Sequence, residues 1–236
     1  MKKFLLVLFL TAAPLSYAGE PDKELHEKCL YPTVLLWSDT NIGTGVIVKS
    51  EKVGDKYHNI VFTAAHVVIS AQGKATSPYT VYLPKYKNWS ENDGYFEFPT
   101  VIHRIDAATD TAVLSFESRF PRKYAEIDWK PQLFIGNSVV RFGAGMGKEI
   151  RLDTGQISSV NYNPEPSSPQ AIYRTNIFTM PGDSGGPLYH ENKLVGICHG
   201  IRSRIWNVNN TKIDVPIYNY SLYIPIRSFS PKDLEY

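Results

Sequence analysis

What this 236-residue chain has little of narrows it first. It carries two cysteines, Cys29 and Cys198, too few for the disulfide frameworks that staple small exported domains. The two either join or stay apart, and Cys198 lies in an apolar, strand-like run that suits a buried thiol. No group of His, Cys, Asp and Glu shows metal-ligand spacing, and no glycine-rich loop has the form that cradles a phosphate. Neither a metal nor a cofactor is expected. There is no internal sequence repeat. An excess of one charge is also missing, since the formal net charge is +2. That balance speaks against nucleic acid as a partner and leaves peptide substrates open.

Long apolar runs are absent as well. The longest, Phe4 to Ala13, follows Lys2 and Lys3 and precedes Ser16-Tyr17-Ala18. It is shorter than the roughly 20 residues needed to cross a bilayer. A positive start, a short apolar stretch and a small-x-small site form the pattern of a secretory signal. Cleavage after Ala18 is expected, with residues 1–18 as signal and a secreted or periplasmic product without stable membrane insertion. Removing Lys2 and Lys3 leaves 23 basic residues against 23 acidic ones in 218 residues. That length fits one large all-β domain with a sizeable core.

What is present is a succession of short strands. Residues 19–28 are charged and read as a mobile lead-in. Val34–Trp37, Gly45–Val48, Ile60–Thr63, Thr80–Leu83, Tyr95–Ile105 and Ala112–Phe116 are rich in Val, Ile, Thr, Tyr and Phe. Phe120 to Phe134, with Pro121 and Pro131, reads as a surface linker. Ser138–Phe142, Ile150–Val160, Ala171–Phe178, Pro187–His190, Leu194–Ile201 and Tyr220–Ile226 then supply six more strands, with a proline-rich loop over 161–169. Residues 231–236 read as one terminal helical turn. The expected fold is all-β: two six-stranded antiparallel β-barrels, about 30–120 and 135–227, with a site in the cleft between them. The sequons at Asn88, Asn209 and Asn219 are assigned no function.

Three segments carry chemistry. In Met180-Pro-Gly-Asp-Ser-Gly-Gly-Pro187 a serine stands among glycines, in a stretch with too much backbone freedom for an ordinary strand. Ser184 is a candidate nucleophile. In Val61-Phe-Thr-Ala-Ala-His-Val-Val68 an apolar strand runs into two alanines and then His66, a candidate base. In Ala108-Thr-Asp-Thr-Ala-Val-Leu114 an aspartate leads straight into a buried-looking strand. A carboxylate there is costly unless a donor meets it, and an imidazole N–H would serve. Asp110 is preferred over Asp106, which has a less apolar context.

Together, Gly43-Thr-Gly45, Thr63-Ala-Ala-His66, Asp110-Thr-Ala-Val-Leu114 and Gly182-Asp-Ser-Gly-Gly-Pro187 resemble the trypsin/chymotrypsin-like serine proteases, in their bacterial secreted or periplasmic branch. The resemblance runs from about Val34 to Ile226, in the family's order His…Asp…Ser. It implies a serine endopeptidase that hydrolyses protein or peptide substrates through an acyl-enzyme. Ser184 would attack, His66 would move the proton and Asp110 would hold the imidazole. The backbone N–H groups of Gly182 and Ser184 would form the oxyanion hole.

The chain departs from that family in three places. Val67 and Met180 stand where many animal members carry cysteine. No Arg-Ile-Val-Gly-Gly-type activation junction is present, so Asp183 needs a partner other than a newly cut N-terminus. The residue six before the nucleophile, which floors the primary pocket in the family, is Phe178, with Thr179 beside it. Cys198 falls at the wall position and Gly200 follows. No acid floors this pocket, so a preference for Arg or Lys is not expected. Thr179 matches part of a glutamate-specific pattern, but strand alternation turns His199 away from a pocket that Cys198 faces, towards Asp110. A pocket for small or medium apolar side chains is expected. The competing class is a catalytically silent relative that binds peptides or partners. A chaperone-protease would need a peptide-binding module after the protease domain, and none is expected in the ten residues after Ile226. Substrate and oligomeric state are not readable from the sequence.

Overall fold

The computed structural model describes residues 22–38, 41–69, 79–147, 149–162, 172–208 and 211–236. The expected signal and its cleavage site, the centre of the 161–169 loop and the Asn209 sequon lie outside them. Seven strands make the first sheet: β1 (Thr33–Trp37), β2 (Ile42–Val53), β3 (Lys56–Ala64), β4 (Thr80–Lys87), β5 (Glu91–Pro99), β6 (Val101–Asp106) and β7 (Thr111–Ser118). Their order is β5-β4-β1-β2-β3-β7-β6, with every pair antiparallel.

The sequence suggested one strand over 95–105, and the structure breaks it in two. Pro99 has no N–H to continue a ladder. At Thr100 both the backbone N–H (3.1 Å) and Oγ1 (2.9 Å) donate to the Tyr79 carbonyl, pinning a corner. The two halves, β5 and β6, form opposite ends of the sheet although they are consecutive in the chain. The sheet therefore curls back on itself, and Phe98 of β5 stacks on Phe116 of β7 with centroids 4.9 Å apart.

The second half is a closed barrel in the order β10-β13-β12-β11-β8-β9. Its strands are β8 (Ser138–Gly143), β9 (Arg151–Tyr162), β10 (Ile172–Thr175), β11 (Pro187–His190), β12 (Lys193–Val208) and β13 (Thr211–Pro225). Closure removes free edges. Several strands run longer than their apolar stretches suggested, because hairpin pairing continues β12 and β13 to Val208 and Thr211. β10 is shorter and ends before Phe178.

Two apolar clusters fill the molecule. One joins the first sheet to the second barrel, bringing Phe62, Val46 and Leu114 together with Tyr189, Ile197 and Ile224. The other, around Ile157, Leu188, Cys198 and Tyr223, is the interior of the second barrel. The two halves thus share an apolar seam. The linker strengthens it: Ala125 N–H donates to Ile47 O, while Asp128 N–H and Glu126 O bond Leu194.

The lead-in is not loose along its whole length. Residues 23–30 form a short helical segment whose end, Cys29 and Leu30, is buried. Thr33 Oγ1 donates to Cys29 O at 2.8 Å. Cys29 and Cys198 are both free thiols, buried in different clusters. At the other end, Pro231–Leu234 forms the expected single helical turn, closed by a capping box between Ser230 and Asp233. Arg104 of β6 grips Asp233 with Nε and Nη2 at 3.0 and 2.9 Å. Phe229 lies flat on Phe62, centroids 4.2 Å apart.

Candidate active site

β3 delivers the histidine. It ends at Ala64, and the chain turns at once into the single helical turn Ala65–Val68. Ala64, Ala65, Val67 and Val68 are buried, so the turn is packed flat on the sheet. The His66 side chain alone projects, 45 % exposed. Its direction is fixed from the β6–β7 connection. There Asp106 Oδ1 accepts the N–H groups of Ala108 and Thr109 at 2.9 and 3.3 Å, a local turn made by an aspartate. Asp110 follows with φ 52°, a left-handed conformation that aspartate tolerates better than most residues.

From that position Asp110 holds the histidine turn by its backbone and its ring. Its carbonyl accepts Ala65 N–H at 3.0 Å, and Oδ1 accepts His66 N–H at 2.9 Å. The ring nitrogen Nδ1 lies 2.9 Å from Oδ2 and 3.1 Å from Oδ1. A carboxylate can only accept, so Nδ1 is the donor in these bonds. A second imidazole reaches the same carboxylate: His199 Nδ1 is 2.6 Å from Oδ2. Burial works to raise the Asp110 pKa, but the hydrogen bonds from His199 and His66 outweigh it and hold the carboxyl well below the ordinary aspartate range.

Ser184 sits in the turn between β10 and β11, docked onto the first sheet. Thr44 of β2 makes most of the connection. Its N–H donates to Ser184 O at 2.8 Å, and its Oγ1 donates to Gly182 O at 2.7 Å. Oγ1 also accepts Ala144 N–H at 2.9 Å. Gly43 explains how close the segments come. A Cβ there would lie 3.2 Å from Ser184 O and 2.5 Å from Cγ1 of Val67, the neighbour of His66. Gly182 has φ +98°, and a Cβ would sit 2.6 Å from Ala144 O. No other residue fits there without movement. Among the described residues, neither the Gly182 nor the Ser184 N–H donates a hydrogen bond.

Asp183, between them, is completely buried and has the partner that the sequence left unnamed. Arg141 Nη1 is 2.5 Å away, in contact though off hydrogen-bond geometry. Arg151 Nη2 donates to Oδ2 at 2.8 Å, and so does the Met180 N–H. Asp153 completes the cluster by accepting from both arginines. Two acids thus face two bases, so no net charge is buried. Arg141 was visible in the sequence as a charge inside the apolar Val139-Val-Arg-Phe142 run, a position that demands an acid.

The four residues that the sequence suggested for a substrate pocket divide by exposure. Phe178 is 40 % exposed, with the Arg151 guanidinium 5.6 Å from its ring centre. Gly200 faces open space. Thr179 and Cys198 are buried, and the Thr179 and Ser221 hydroxyls are 2.7 Å apart. His66, Asp110 and His199 have ligand-type atoms within 4.8 Å of one another. The carboxylate is already met by both imidazoles in hydrogen-bond geometry, an arrangement suited to moving protons. Sequence reasoning missed Thr44, although the flanking Gly43 and Gly45 had drawn attention to the segment.

A family model described as a trypsin-like peptidase domain matches residues 43–197. The serine protease Do-like HtrA of Bacillus subtilis is 29 % identical over 168 residues, covering 68 % of this chain and 33 % of that protein. Streptogrisin-A of Streptomyces griseus is 28 % identical over 104 residues, or 44 % of this chain and 33 % of that one. The chain spans about a third of the length of these curated relatives. Among solved structures, an HtrA-type protease, AlgW, with a tripeptide aligns at a TM-score of 0.65 and 18 % identity, over 87 % of this chain and 59 % of its own. That likeness speaks for the fold. With the match to two thirds of its length and the barrel architecture, the chain belongs to the trypsin-like peptidase domain family.

Proposed function

We propose that this protein is an exported serine endopeptidase in which Ser184, His66 and Asp110 form the catalytic triad. The observation that carries the reading is the bond from His66 Nδ1 to Asp110 Oδ2 at 2.9 Å. It lies beside a nucleophile loop tied through Thr44 to the same sheet. Ser184 Oγ attacks the scissile carbonyl, and His66 Nε2 takes its proton and passes it to the leaving amine. Asp110 fixes the tautomer and stabilises the imidazolium. The N–H groups of Gly182 and Ser184 receive the oxyanion, each worth about 3–4 kcal/mol in the transition state. Water then cleaves the acyl-enzyme by the same proton route. The Arg141–Asp183–Arg151 cluster supports a loop formed without a cleaved N-terminus.

The pocket favours small or medium apolar side chains. Phe178, the residue expected at the floor, carries the Arg151 guanidinium against its ring, and that arginine and Arg141 hold the carboxylates of Asp153 and Asp183. Residues 1–18 direct export, with a mature chain from Gly19. Among the described residues no helix is long and apolar enough to cross a membrane. A fluorophosphonate probe tests the activity. Labelling of folded wild type that disappears in Ser184→Ala and falls steeply in His66→Ala supports it. Folded wild type that resists the probe would instead make the chain a silent peptide- or partner-binding relative.

A further inference from the structure

We propose that His199 is a positioning residue of this site, forming a His–Asp–His unit in which Asp110 holds two imidazoles and shares any added proton between them. The inference rests on the protease reading above. Its first support is backbone geometry. In the β12–β13 ladder Cys198 pairs with Tyr223 and Gly200 with Leu222, which leaves His199 as the extra residue of a bulge. Bulges re-aim a side chain. Gly200, at φ +147°, completes the distortion. The ring turns away from the barrel interior, where Cys198 points, and meets the carboxylate.

The contact itself is the second support. At 2.6 Å, the bond from His199 Nδ1 to Asp110 Oδ2 is shorter than either bond from His66. Oδ1 meets the His66 backbone and ring, and Oδ2 meets both rings. With both oxygens engaged, the carboxylate has little freedom to rotate away from the base.

The third support is what an imidazole can do there that an amide or hydroxyl donor cannot. His199 is 42 % exposed, within reach of solvent protons. Its ring stands edge-on to His66, with centroids 5.8 Å apart. The groups facing it are His66 from the helical turn and Asp110 from the β6–β7 turn. On its own strand Cys198 lies on the opposite face, with its thiol pushed up to about 12 by burial, and stays neutral. Two imidazoles on one carboxylate titrate as a pair. The first proton to arrive divides between the rings, and its charge opposes the second. A proton held on His199 is one that His66 does not carry, which leaves His66 able to act as base.

The test measures the second-order rate of fluorophosphonate inactivation from pH 5 to 9 for the full chain and two variants. His199→Gln keeps a donor that cannot titrate. Its rate at pH 8 should stay within about threefold of wild type. Its acid limb should move up by about one pH unit and sharpen to a single proton. His199→Leu removes the donor and should lose about tenfold or more at pH 8. Low-field proton NMR should show two hydrogen-bonded imidazole N–H signals in wild type and one in His199→Gln. If the folded glutamine variant reproduces the wild-type pH profile and both signals, the proposal falls while the protease reading stands. If wild type does not react at all, the protease reading falls first.

Discussion

Thr44 Oγ1 donates to the carbonyl of Gly182 at 2.7 Å and accepts the Ala144 N–H at 2.9 Å, so one hydroxyl ties the first sheet to the Ser184 loop and to the second barrel. The side chain is fully buried. Thr44→Val keeps the shape and removes both bonds, leaving a buried donor and acceptor unmet. A stability loss of about 2–6 kcal/mol is expected, from about 1–3 for each of the two unsatisfied groups. Fluorophosphonate reactivity should fall further than stability does, because Gly182 is released. Urea titration and labelling rates of the same preparation check both. An unchanged labelling rate would separate Thr44 from the loop.

The Arg141–Asp183 pair is a buried charge contact without solvent access on either side. Arg141→Met leaves Asp183 with Arg151 as its one remaining charged partner. Breaking a buried pair from one side costs about 3–5 kcal/mol, so this variant should unfold at much lower denaturant or fail to accumulate. Arg151→Met, at a partly exposed position, should cost less. Equal losses in the two would contradict the ranking.

Phe229 anchors the chain end on Phe62 and is 4 % exposed. Phe229→Ala should cost about 3–5 kcal/mol. Since Phe62 lies four residues before His66, on the strand that runs into its helical turn, a fall in reactivity at temperatures well below unfolding is also expected. Thermal melts followed by labelling at 25 °C measure the two effects.

Asp110 sets the acid behaviour. Its folded pKa lies below the unfolded value of about 4, so the folded state binds fewer protons near that pH. Its contribution to stability is complete above the unfolded pKa and is lost as pH falls towards the folded one. In Asp110→Asn that contribution is missing at all pH values. Wild type should therefore lead the variant in stability at pH 7 and converge on it in strong acid. Parallel denaturation at pH 7 and below pH 4 checks the sign.

Burial pushes both thiols, Cys29 and Cys198, up to about 12. Neither should react with iodoacetamide in the native protein at pH 8, and both should react in denaturant without reductant. Mass spectrometry counting two added groups only after unfolding is the expected result. No addition in denaturant would mean that the two are joined.

The sequence by itself determined the class of fold and the chemical types at the site. Alternating Val, Ile, Thr and Tyr between turn residues can bury only one face of a strand, and that dictates paired sheets. Gly182, with its positive φ, and the serine flanked by glycines could be read because only glycine reaches such backbone. The tertiary structure decided what depends on segments far apart in the chain. The corner at Thr100 required Tyr79 as acceptor. Asp183 found its partner in Arg141 and Arg151, more than thirty residues upstream. Strand alternation already turned His199 towards Asp110, but the bulge that brings its ring within 2.6 Å of the carboxylate is not written in the pattern. Thr44 gained its role only when the first sheet and the second-half barrel met around it. Local pattern records which face of a segment is apolar. It carries no record of which distant polar group will stand opposite, because that pairing is fixed only when the sheets close and pack.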